Sequence, residues 1–146
     1  MARYRTKPRL TTCIEDLAAA LRAHAKGLYC AEAAVELLIG HAWWLHRDDF
    51  VGGFVEVGRG LVGGTVMAWI DWQAAVTTLD AERLPCCDNE GQILRIAAGI
   101  AQGVPIDLRA ALTGLDAVNL ALVAGAVLHT GGHRGAIAGF ARVEGR

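Results

Sequence analysis

Residues 88–130 read DNEGQILRIAAGIAQGVPIDLRAALTGLDAVNLALVAGAVLHT, and the reading of this stretch decides the fold. Asp88 stands where a helix N-cap belongs, and Ile93, Leu94, Ile96, Ala97, Ile100 and Ala101 follow at helical spacing until Gly103-Val104-Pro105 stops the turn. Asp107 caps a short helix from Leu108 to Leu112, and Thr113-Gly114-Leu115 turns the chain. Asp116 then caps an apolar helix running to about His129, where Gly131-Gly132 ends it. Three aspartates, each just ahead of an apolar period, predict three consecutive helices.

Working outward, the first half carries the same signature less evenly. Thr12-Cys13-Ile14-Glu15 has the form of a capping box, and Ile14, Leu17, Ala18, Leu21, Ala25 and Leu28 make one stripe that Gly27 closes. A second helix is expected from about Cys30 to Leu45, with Ala33, Ala34, Leu37, Leu38, His41, Trp44 and Leu45 inward and Glu32 and Glu36 on its wet side. The short link predicts an antiparallel helical hairpin. Asp48-Asp49 opens a short helix with Phe50, Val51, Phe54 and Val55, the glycine-rich run 58–64 reads as a loop, and Asp71 caps a helix from Trp72 to Leu79. Thr65 to Ile70 is the one strand signal, β-branched and aromatic. It needs a neighbour, either Phe54 to Val57 or its own copy in a second subunit.

The expectation is a mainly α, compact single-domain bundle of about six or seven helices with one short β-strand or hairpin. Residues 1–10 are read as a flexible basic arm, 11–131 as the helical domain and 132–146 as a flexible Gly-rich tail. With 53% of its 146 residues apolar and a length suited to one core, the chain excludes bulk disorder. The net charge of −1 divides unevenly. Arg3, Arg5, Lys7 and Arg9 face no acid in the arm, whereas seven bases meet fourteen acids between residues 10 and 131. Phosphate affinity rests on Lys and Arg, so only the arm offers a polyanion contact. The last of the three consecutive helices has no Lys or Arg, which excludes it as a DNA-reading helix despite the helix-turn-helix outline.

The longest strongly apolar run, Leu120 to Leu128, is well short of the about 20 residues a bilayer requires. Thr11 to Asp16 breaks the positive start with polar and acidic residues where an export signal needs an apolar stretch, and the four cysteines read as reduced thiols. The expected setting is soluble and cytoplasmic, with no membrane association.

The run Ile70-Asp71-Trp72, Leu84-Pro85-Cys86, Leu94-Arg95-Ile96-Ala97-Ala98, Gly103-Val104-Pro105-Ile106-Asp107-Leu108-Arg109 and Leu112-Thr113-Gly114-Leu115-Asp116 resembles small actinobacterial cytosolic proteins with no assigned activity. The resemblance covers about the last half of the chain. It implies a bacterial cytosolic origin and transfers no functional residue.

Candidate chemistry is sparse. The chain contains no serine, which excludes a serine nucleophile, and the glycines at 52, 53, 58, 60, 63 and 64 lack the G-x-x-x-x-G-K-[ST] pattern of a phosphate loop. Cys86 and Cys87, just before a helix N-terminus, are reactive-thiol candidates, although Asp88 and Glu90 oppose a thiolate and the C-x-x-C spacing is missing. Trp43, Trp44, Trp69 and Trp72, with His41, are ligand-pocket candidates; at helical spacing such aromatics more often belong to a core. His41 and His46 are badly spaced for one helical face, and glycines separate His129 from His133, so no metal and no cofactor are expected.

The leading functional expectation is a non-enzymatic, self-associating interaction module, a homodimer through apolar helix faces. One alternative is a nucleic-acid-associated accessory protein using Arg3, Arg5, Lys7 and Arg9. Another is a small-molecule-binding or thiol-dependent protein with an aromatic pocket.

Overall fold

A computed structural model describes residues 13–61 and 63–133. The arm with Arg3, Arg5, Lys7 and Arg9, and all of the tail beyond His133, lie outside the described residues. Among the described residues, the chain forms α1 (Ile14–Ala25), α2 (Tyr29–His41), a 3₁₀ turn (Trp44–His46), α3 (Asp48–Phe54), β1 (Val55–Arg59), β2 (Val66–Ile70), α4 (Trp72–Asp80), α5 (Asp88–Gln102), α6 (Leu108–Thr113) and α7 (Ala117–Thr130). The fold is mainly α with one short hairpin.

Helix α2 is the hub. It packs against α1, α5 and α7, while β2 lies on α1 and α4 on α5. Ala33, Ala34, Leu37 and Leu38 bury its inner side against Leu17, Leu21, Ile93, Leu94, Ala97 and Val123 in one continuous core. Small residues allow the close approach to α7: a Cβ at Gly40 would sit 3.1 Å from the Leu122 side chain.

Three of the aspartate caps form as the sequence implies. Asp71, Asp107 and Asp116 accept hydrogen bonds from the backbone N–H groups of Ala74, Ala110 and Asn119. Gly103 ends α5 in the left-handed region, at φ 67°, with its N–H on the Gly99 carbonyl. Four expectations need correction. The N-cap of α1 is Cys13, with no side-chain cap bond, and Thr12 lies outside the described residues. The N-cap of α5 is Cys87, so Asp88 sits in the first turn and complements the helix dipole there.

The largest correction concerns α2, which stops at His41 rather than Leu45 because Ala42 adopts φ 63°. A left-handed alanine costs roughly 1–2 kcal/mol. It turns the chain so that Trp44 and Leu45 are buried from a 3₁₀ turn instead of from the helix face. Finally, Gly58 and Arg59 belong to a strand and not to the loop. β1 and β2 pair antiparallel with Val55 opposite Ile70 and Arg59 opposite Val66. The strand signal thus finds its neighbour within the chain, in Val55 to Arg59: Phe54 stays the last residue of α3, Val55 leaves the helix for the strand, and Gly58 and Arg59 extend it, while Ala68 and Ile70 point into the core.

Candidate functional site

The tryptophans fall into separate surroundings. Trp44 is 0% exposed, its Nε1–H donates to the Glu90 carbonyl at 2.8 Å, and its ring meets Trp43 edge-on at 4.8 Å and Phe50 at 5.2 Å. The Arg47 guanidinium lies 4.9 Å from the Trp43 ring and 5.1 Å from that of Trp44, while hydrogen bonding to Asp49 and to the Pro85 carbonyl. That hydrogen bond and charge hold the Asp49 carboxyl below, and the Arg47 guanidinium above, their ordinary ranges. Arg47 therefore clamps the 3₁₀ turn to the loop before α5 through cation–π and ionic contacts. Trp72 is buried at the start of α4. Trp69 faces the other side of the hairpin, where its ring lies 5.4 Å from His24 and its Nε1–H donates to Glu56 at 3.2 Å. Trp43 and Trp44 come together; Trp69 is in different company.

His41 sits half-buried at the end of α2, and its Nδ1 is buried without a hydrogen-bond partner. Burial lowers the imidazole pKa below its ordinary value, against the opposing pull of the Glu90 and Asp116 carboxylates. Cys86 is half-buried, and desolvation, followed by the Glu90 charge, pushes its thiol up, with Arg47 and Arg95 opposing. A raised thiol is protonated at neutral pH, the reverse of what a nucleophile needs. Cys86 and exposed Cys87 line a cavity of about 370 Å³ with Asp80, Glu82, Asp88 and Arg95. Among the described residues no group of three or more His, Cys, Asp or Glu side chains is placed to hold a metal ion.

A larger groove, of about 580 Å³, lies where α1, α2 and α7 meet. Ala19 and Ala23 from α1 and Val35 from α2 supply apolar lining; Arg22 and Lys26 come from the α1 side, Glu32 and Glu36 from α2, and His129 from α7. The Arg22 guanidinium meets Glu36 with two hydrogen bonds, 2.6 and 3.1 Å long. Deeper in, the Glu32 carboxylate reaches His129 Nε2 at 3.1 Å, with side-chain exposures of only 12% and 13%. It also accepts the Gly27 N–H at 3.2 Å. Glu32 is therefore not on the wet side of α2, as its spacing from Glu36 suggests, but half-buried under the end of α7.

This groove was not visible as a site in the sequence. Its one local signal is a pair of i, i+4 repeats, Arg22/Lys26 and Glu32/Glu36, on two helices joined by a short link. His129 lies 97 residues from Glu32, beyond any local pattern. No family model, curated protein or solved structure matches the chain. The site is therefore read from its own geometry.

Proposed function

We propose that the protein is a non-enzymatic interaction module that self-associates as a homodimer through the outer face of α7. One observation carries the reading: a helix without a charged side chain from Ala117 to Leu128 buries only Asn119, Val123 and Ala126 and leaves Val118 72%, Leu120 40% and Val127 57% exposed. Contiguous exposed apolar surface of this kind marks contact sites. A second copy is the occupant because the face has no charge with which to select an unlike partner. Its exposed Ala117, Ala121 and Ala124 fall at i, i+4 and i+7, a flat seam that a two-fold axis sets against itself. Fourteen residues give a contact line of about 21 Å. Exposed Tyr29, whose ring lies 6.4 Å from His129, continues the apolar surface around the C-terminal end of the helix.

The setting that fits is the cytoplasm, where the four free thiols stay reduced. Among the described residues no helix is long and apolar enough to cross a membrane. Sedimentation equilibrium of the full chain over a micromolar concentration series tests the reading. A dimer mass is expected, and a monomer at every concentration overturns it.

A further inference from the structure

Cys86 and Cys87 are consecutive free thiols, and both border the cavity of about 370 Å³ between the end of α4 and the start of α5. Cys86 Sγ lies over the bare backbone of Gly91 in the first turn of α5, 3.4 Å from where a Cβ would stand, with the Leu79 side chain beside it. Cys87 is exposed at the N-cap of α5, and its side chain makes no cap hydrogen bond. Arg95 is already spent on Asp80 across the same cavity, so the soft donor atoms there are the two sulfurs. Their spacing decides what they can hold. The peptide bond between them is trans, which fixes the two Cα atoms about 3.8 Å apart. A disulfide usually spans about 4.4–6.8 Å, so direct bonding of the pair is strained and the dithiol form is favoured. One larger atom bonded to both sulfurs relieves that strain, because the sulfurs then need not approach to about 2.05 Å. Zinc takes three or four protein ligands, and among the described residues no third His, Cys, Asp or Glu joins the pair to hold a metal ion. Exposed Glu82 and Asp88 on the lining repel anions. A trivalent arsenical meets all three conditions: it is thiophilic, its hydroxide is uncharged at neutral pH, and with its own organic substituent it needs only two sulfurs.

We propose that Cys86 and Cys87 form a two-thiol site for a trivalent organoarsenical, R–As(OH)2. Both As–OH bonds break and two As–S bonds form; each hydroxide leaves as water with one thiol proton, and arsenic stays trivalent. No oxidant or reductant is consumed. Chelation and alkylation make different demands on the thiols. An alkylating electrophile needs a thiolate, which burial and Glu90 disfavour at Cys86, whereas here the departing hydroxide removes the proton. The other two cysteines cannot chelate one arsenic together: Cys13 precedes α1 and Cys30 follows its far end in the first turn of α2, and the 12 residues of α1 span about 18 Å. The site is separate from the outer seam of α7 and stands whether or not the chain dimerises.

The test is native mass spectrometry of the reduced, full-length protein titrated with phenylarsine oxide. One phenylarsenic group per chain is expected, with loss of one water for each oxide bound. The adduct should be released by 2,3-dimercaptopropanol and should resist 2-mercaptoethanol at the same thiol concentration, since only a dithiol competes with a chelate. Cys87→Ala, at an exposed position, leaves a single thiol and is expected to weaken binding at least about 100-fold with unchanged melting temperature, the size of effect that losing the second, intramolecular bond produces. Cys86→Ala should weaken it equally, and the Cys13→Ala/Cys30→Ala double variant should bind like the parent. No adduct at a slight excess of arsenical, an adduct that survives Cys87→Ala or is lost in the double variant, equal release by the monothiol, or arsenic bridging two chains overturns the proposal.

Discussion

Helices α2 and α7 are nearly the same kind of sequence and live in opposite surroundings. Both are apolar almost all round, and such helices belong in the interior. Helix α2 meets that rule: Ala33, Ala34, Val35, Leu37 and Leu38 are buried, and neighbours flank it on several sides. Helix α7 does not. It packs against α2 and α5 and leaves its remaining surface, with Val118, Leu120 and Val127, in water. The difference teaches that composition sets how much apolar surface a helix brings, whereas the number of neighbours in the chain sets how much of it is covered. On α2 the account closes within one chain; on α7 it stays open among the described residues, and the proposed second copy would close it.

The largest effect sharpening this contrast is expected in α2. Leu38 is fully buried among α2's neighbours, so Leu38→Ala removes both transfer free energy and packing, at a cost of about 3 kcal/mol. Denaturant unfolding of the variant measures it. The matching truncation on α7, Leu120→Ala, is expected to cost under about 1 kcal/mol in dilute solution, where its side chain is already partly in water. Equal costs at the two positions would erase the distinction between hub and outer helix.

Second in size is Ala124→Glu, which sets a charge in the middle of the exposed seam. In a closed two-fold contact that charge faces its own copy across a dry interface, so association is expected to weaken by at least about 100-fold, equivalent to roughly 2.7 kcal/mol. The melting temperature of the dilute protein should stay within about 2 °C, as for other exposed substitutions. A variant that associates like the parent places the contact elsewhere.

The legibility of the chain follows the same divide between local and distant causes. Asp71, Asp107 and Asp116 were readable as caps because the cap and the amide it accepts from are three residues apart. The mainly α class was readable for a similar reason, since short-range spacing fixes it, whereas the partner of Thr65 to Ile70 stayed open between Phe54 to Val57 and a second subunit until the fold paired it with β1. The end of α2 was not, because Ala42 carries no glycine or proline signal and takes φ 63° under the demands of tertiary packing. Glu32 was misplaced to the solvent for want of His129, and the grouping of four tryptophans within thirty residues concealed that Trp69 lies apart from Trp43 and Trp44. Helical and strand periods assign a side to each residue but do not say what stands opposite.

A smaller effect concerns how α7 begins. Helix α7 is held from one side, so its first turn depends on Asp116, which accepts from the Asn119 N–H at 2.8 Å and lies 3.4 Å from the Asn119 side-chain amide. Asp116→Ala is expected to cost about 1 kcal/mol and to raise hydrogen exchange at the start of α7 while α2 stays protected. Uniform loss of protection across both helices would show that α7 is as firmly integrated as the hub.

The smallest expected effect sits where the two helices meet, at His41. Its folded pKa is below the ordinary imidazole value of about 6.5, chiefly through burial, with Glu90 from α5 and Asp116 from the cap of α7 pulling the other way. A depressed folded value means that the unfolded chain binds the proton more readily. The neutral ring thus supports the fold above the unfolded pKa, and that support is lost as pH falls toward and through the folded value. Stability should decline as pH falls below the ordinary imidazole value of about 6.5, and His41→Gln, which stays polar but does not titrate, should flatten that part of the profile. Because two carboxylates offset the desolvation, the change is slight and must be read as a difference in slope between parent and variant under identical salt. Parallel slopes would mean that His41 is solvated on protonation and that the end of α2 is looser than its buried Nδ1 implies.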